Sequence, residues 1–155
     1  MTVTISTVPW DDADGERLRA AMGVELMARY QILIDEGQEP EDLPAEDVEV
    51  FMIARRDETG EAIGCGALRR LPDGSAEVKR MYVTPEARGS GAATAVLRGL
   101  EDYARNQGIT TVHLTTGTEQ PDALRLYERE GYRRTAGFGE LAGHPMAIFL
   151  ARDLG

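Results

Sequence analysis

Apolar and polar positions change period several times along the chain, and each change marks an element. "VTISTV" (Val3–Val8) alternates apolar and polar, so it reads as a strand, and Pro9 stops it. "DDADGERLRAAMGVELMARYQILI" follows, with acids at its start and Leu18, Ala21, Met22, Leu26, Met27 and Tyr30 at helical spacing. Gly23 weakens or divides that helix. Asp35–Asp47 is acidic, holds Pro40 and Pro44, and reads as a loop with room for one helical turn. The period then returns to two. Val48–Arg56, Glu61–Leu71 and Ala76–Val83 are strands joined by "DETG" and "PDGS", an antiparallel meander.

After "TPEARGSG" a helix is predicted. Ala93, Val96, Leu97, Leu100 and Ala104 share one face, and Gly108 stands where a C-terminal cap belongs. Ile109–Thr116 is rich in β-branched residues and reads as a strand. "TEQPDALRLYERE" is a short helix between Pro121 and Gly131. "YRRT" and Pro145–Leu154 complete the set as strands. The order βα(α)βββαβαββ predicts one α+β (mixed α/β) domain over residues 1–155, with helices on a central sheet.

Composition narrows the function. The net charge of −10 argues against sequence-independent nucleic-acid binding. Residues 1–60 carry 15 acids against 5 arginines, and residues 61–155 carry 12 against 12, so the excess acid is all N-terminal. It reads as a solvated surface or as a field for a cationic substrate. No run approaches the ~20 apolar residues of a membrane span. The lone Cys65 and the lack of a secretory pattern predict a reducing, cytoplasmic setting. His113 and His144 are isolated, and no metal site is expected.

"EARGSGAATAVL" (Glu86–Leu97) holds the candidate chemistry. It lacks the lysine of a Walker loop, and the acid expected downstream of a dinucleotide fingerprint is missing. Two readings remain. The small residues Gly89, Ser90, Gly91, Ala92 and Ala93 at a helix start can cradle a pyrophosphate on main-chain N–H groups, with Arg88 adding a charged contact. Alternatively, the glycines only let the helix enter tightly.

"AEVKRMYVTPEARGSGAATAVL" resembles motif A of the GNAT superfamily, the acetyl-coenzyme A-dependent N-acetyltransferases, with Arg88, Gly91 and Ala93 in the pattern. "QPDALRLYEREGY" resembles its second signature through Ala123, Leu126, Tyr127, Gly131 and Tyr132, with Gln120 where the pattern has Asn. The resemblance covers roughly Val48 to Leu154. It implies a mostly antiparallel, twisted sheet of about seven strands with about four helices, splayed between "AEVKRMYV" and "ITTVHLTT" at the cofactor cleft. It implies acetyl-CoA as cosubstrate, its pyrophosphate on Arg88–Ala93, its pantetheine arm along Met81, Tyr82 and Val83, and a further cofactor contact near Gln120. The acceptor amine attacks the thioester directly, so no nucleophilic triad is expected. Tyr127 takes the position of the general acid for the departing thiolate, and Glu77, eleven residues before Arg88, that of the base.

Alternation places Glu77, Lys79 and Met81 on one face. Tyr30 and Phe138 are candidates to line the acceptor pocket, each with core packing or an ordinary loop as its alternative. His144 reads as a solvent-exposed residue. The expected acceptor is a primary amine on a small molecule. A protein amine or a non-catalytic acyl-CoA sensor is the alternative, and a homodimer fits the superfamily.

Overall fold

The computed structural model describes residues 2–29, 43–139 and 141–155. Seven strands form one sheet: β1 (Val3–Thr7), β2 (Val48–Arg56), β3 (Ala62–Arg70), β4 (Ala76–Val83), β5 (Thr111–Gly117), β6 (Arg133–Arg134) and β7 (Ala147–Asp153), in the spatial order β1-β2-β3-β4-β5-β7-β6. Every neighbouring pair is antiparallel except β4–β5. Three α-helices are described: α1 (Ala13–Arg29), α2 (Ala92–Asn106) and α3 (Pro121–Arg129). The expected helical turn before β2 is a 3-10 turn, Ala45–Asp47. No described helix is long and apolar enough to cross a membrane.

Strand alternation divides the core between two faces. Val50, Met52, Ala54, Leu68, Val78 and Leu114 pack with Val96, Leu97 and Leu100 of α2. Phe51, Ile53, Cys65 and Ala67 pack with Leu18 of α1. Burying each large aliphatic side chain stabilises by about 1.5–3 kcal/mol, so the all-round apolar β2 and β3 anchor both layers.

Two helix ends are fixed by Schellman caps. After α2, Gly108 (φ 75°) donates to Arg105 O and Ile109 N to Ala104 O. After α3, Gly131 (φ 96°) donates to Glu128 O and Tyr132 N to Tyr127 O. The second cap binds the two tyrosines of the "LYEREGY" stretch to one another through the backbone.

The strand β4 is not regular. From Cys65 to Ala67 the β3 partner advances two residues, while β4 passes from Tyr82 to Lys79, three residues. The extra residue is a bulge, and Arg80 in it has φ 59°, rare for a side chain with a Cβ. The Cys65 thiol donates to the Arg80 carbonyl at 3.3 Å. The bulge overturns the expectation that Glu77, Lys79 and Met81 share a face. Met81 joins the α2 side, whereas Tyr82 packs with Cys65 on the α1 side.

Gly66 faces this bulge. A Cβ there would lie 2.5 Å from Met81 Sδ and 2.8 Å from Val96 Cγ1. Gly66→Ala is expected to lower stability by about 1–3 kcal/mol through overpacking. The shift in the urea unfolding midpoint measures it.

Candidate active site

The β4–β5 pairing lasts only three residues, Ala76–Val78 against Val112–Leu114. Beyond Val78 and Leu114 both strands continue without pairing to each other, β4 to Val83 and β5 to Gly117. A wedge opens there, and one edge of β4 through Met81, Tyr82 and Val83 has no strand partner among the described residues. That is the site at which an extended arm can add as a strand.

At the end of β4 the chain turns through Pro85–Ala87 into α2. Gly89 (φ 82°) and Gly91 (φ 90°) occupy left-handed conformations, and a Cβ at either would meet nothing within 4 Å. The Ser90 hydroxyl accepts from Ala92 N. The N–H groups of Gly89, Gly91, Ala93 and Thr94 find no acceptor among the described residues. Open left-handed glycines and unmatched donors at a helix N-terminus suit a diphosphate, so the residues present fit the coenzyme.

Arg88 is not aimed only at that cradle. Its Nη2 pairs with Glu25 Oε2 of α1 at 2.6 Å, and its Nε donates to Val83 O at 3.1 Å. Glu25 also binds Arg29 at 2.8 Å. The Arg88 guanidinium beside it holds the Glu25 carboxyl below its ordinary value, against a smaller opposing effect of burial.

Glu77 lies at the apex of the wedge, 2% exposed, and faces the α1 side. Arg69 Nη2 binds its Oε1 at 2.6 Å. Lys79 Nζ stands 4.0 Å from Oε2, past hydrogen-bond length. His113 is opposite Glu77 in the parallel register. Val112 and Leu114 point to α2, so His113 points with Glu77 to the α1 side. Phe138, in the β6–β7 connection, meets the His113 ring edge-on at 5.7 Å and Phe149 at 5.4 Å.

Tyr127 is 7% exposed on the α2 side, edge-on to Tyr132 at 5.9 Å. Burial pushes its hydroxyl well above the usual tyrosine value, so it stays protonated at neutral pH. Tyr132 donates to Glu101 Oε2 at 2.8 Å, and Arg152 Nη1 binds the same oxygen at 2.9 Å. Glu101, 1% exposed on α2, thus ties α3's cap and β7 to the long helix.

The remaining sequence candidates fall as follows. Gln120 caps the start of α3, and its N–H donates to Gly117 O at the end of β5. Tyr30 lies outside the described residues. His144 is half-buried rather than solvent-exposed, and its Nδ1 accepts from Met146 N at 3.1 Å. Burial pushes the Cys65 thiol up to about 12, which leaves it an inert core group. Sequence reasoning did not single out Glu25, Arg69, His113 or Glu101. Of these, His113 was accessible from the strand pattern, since a parallel β4–β5 pair places equal-parity residues side by side.

The model of the acetyltransferase (GNAT) family matches residues 17–132. The chain belongs to the GNAT family of acetyltransferases. It is 36% identical over 105 residues to the IAA acetyltransferase of Azospirillum brasilense, which covers 67% of each chain. A candidate acyl-CoA N-acyltransferase from Klebsiella pneumoniae, solved as a crystal structure, is 32% identical, with a TM-score of 0.80 over 99% of each chain. A GNAT family acetyltransferase from Elizabethkingia anophelis, solved with acetyl-CoA bound, shares the fold at 19% identity and a TM-score of 0.69, covering 98% of each chain.

The Arg88–Glu25 pair gives this GNAT domain an acid-sensitive contact. Glu25 is held low in the folded state, so its contribution is complete above its ordinary value of 4.5 and is lost as pH falls through the lowered value. Glu25→Gln is expected to be less stable than the native chain at neutral pH. The gap should narrow as pH drops below about 4.5, as followed by urea midpoints across the range.

Proposed function

We propose that this GNAT domain transfers an acetyl group from acetyl-CoA to a primary amine of a small molecule. The observation that carries the reading is the wedge with its adjoining cradle. An unpaired β4 edge leads from unmatched amides at the α2 N-terminus to an apex bordered by Glu77. The E. anophelis relative of the same fold holds acetyl-CoA. In this reading the amides of Gly89, Gly91, Ala93 and Thr94 bind the pyrophosphate, and the Met81–Val83 edge aligns the pantetheine arm. When bound, the thioester supplies the acyl group and the thiolate leaving group.

Two side chains handle protons. Glu77 takes one from the acceptor amine, directly or through water, while Arg69 Nη2 holds its Oε1. Tyr127 donates its hydroxyl proton to the departing thiolate. Burial favours the neutral phenol, and it equally favours a neutral thiol over a thiolate beside it. Phe138 and Phe149 over β5 supply an aromatic wall on the acceptor side, which suits a compact amine better than an extended peptide. Two of the N-terminal acids are neutralised by arginines from beyond residue 60, Glu49 by Arg70 and Glu25 by Arg88. The excess therefore weighs less toward a cationic acceptor than its count suggests.

Thiol release from acetyl-CoA over a panel of small amines and lysine peptides tests the reading. Turnover with a small amine is the expected result, and calorimetric binding of acetyl-CoA without turnover on any amine would overturn it. Tyr127→Phe is expected to lower kcat about 100-fold while acetyl-CoA affinity stays within about two-fold of the native value. An unchanged kcat removes Tyr127 as the acid.

A further inference from the structure

Acetylation of an ammonium group releases one proton per turnover. R–NH3+ and the thioester become an amide, a thiol and H+. Two protons leave nitrogen, the thiolate keeps one, and the other must reach water. The carboxylate placed to receive that proton, Glu77, is only 2% exposed, so its one route to water is the path by which the acceptor enters. A base that must wait for that path to empty slows the next cycle.

The neighbouring strand carries a group suited to pass the proton on. His113 is in register with Glu77 and on the same side of the sheet. Imidazole carries one basic ring nitrogen and one N–H, so it can take a proton at one nitrogen and release one from the other. Its Nδ1 is buried and has no hydrogen-bond partner among the described residues, an unfavourable state for a residue that only fills space. The ring is also part of the wall of a cavity of about 450 Å³, at the opposite end of β4 from the coenzyme cradle. Arg70, Asp73, Ser75, Thr110 and Thr111 form the rest of its polar lining.

Hydroxyl and carboxylate groups in a cavity of that size are what ordered water needs. The Ser75 hydroxyl and amide hold the Asp73 carboxyl below its ordinary value. Phe138 covers the ring from the β6–β7 connection.

We propose that His113 is a proton-exit relay that takes the amine-derived proton from Glu77 and delivers it to water in the cavity lined by Asp73, Ser75, Thr110 and Thr111. The relay rests on the reading of Glu77 as the base. His113 touches neither the cofactor nor the acceptor; it acts through Glu77.

Steady-state kinetics of His113→Ala and His113→Phe test this. Both variants are expected to lose at least about ten-fold in kcat, with KM for acetyl-CoA within about two-fold of native. Imidazole added to the buffer should restore much of the kcat of His113→Ala, because the vacated space joins the open cavity. His113→Phe keeps an aromatic ring against Phe138 but carries no proton, so it should remain slow and refractory to imidazole. Near-native turnover by His113→Phe would overturn the relay and leave a packing role, as would a loss in His113→Ala that imidazole does not relieve. Glu77→Gln separates the two ideas. If it turns over normally, the base reading fails and the relay with it. If it is slow while His113→Phe is not, only the relay fails.

Discussion

The structure depends on where β4 and β5 stop holding each other. Parallel pairing lasts for three residues and gives way after Val78, just before an inserted residue at Arg80 re-aims β4. A bulge increases local twist and leaves one residue outside the ladder. Here it also exchanges the faces of everything downstream, so that Met81 is committed to the α2 layer and Tyr82 to the α1 layer. The strand keeps its bonds to β3 throughout, and the sheet stays continuous on that side. Separation on the other side creates an interior strand with an exposed edge, which a sheet normally has only at its margins. The cradle at Gly89–Thr94 lies at the mouth of this separation, and Glu77 and His113 lie at its closed end.

The elements around the wedge are held by backbone geometry more than by side-chain bulk. The α3 cap bonds Tyr132 N to Tyr127 O, and Glu101 then fixes the Tyr132 hydroxyl from a different helix. Tyr127 is thereby oriented by a glycine with positive φ and by a buried carboxylate, neither of which touches the wedge. Arg88 works in a similar way at the other end. It joins the Val83 carbonyl and the Glu25 carboxylate of α1, so the turn that shapes the cradle is braced against the helix on the opposite face of β4.

Much of this was legible in the sequence. Alternation located β2, β3 and β4, and the glycines at 108 and 131 marked two helix ends, because left-handed caps leave a direct chemical trace. The cradle and the Tyr127 signature were readable for the same reason: each needs small or αL-capable residues at fixed offsets. The face of Met81 was not, since a bulge at Arg80 uses a residue type that gives no sign of positive φ. Glu25, Arg69 and Glu101 were missed because their roles come from partners 63, 8 and 31 residues away, which no local period records. His113 occupies an intermediate position. Its place beside Glu77 follows from strand parity, but only once β4 and β5 are known to be parallel neighbours.

Gly66 shows how a constraint can be felt far from its cause. It sits under Val96, Leu100 and Met81. Yet the absence of its side chain lets α2 settle onto β3 and lets Met81 turn inward, and the depth of the wedge follows from both. A position of this kind tolerates as little change as a residue that handles the substrate, for a reason that is wholly steric. Intolerance to substitution along β3 is therefore a measure of how closely the layers approach, and a map of it would trace the seam between sheet and helix from beneath.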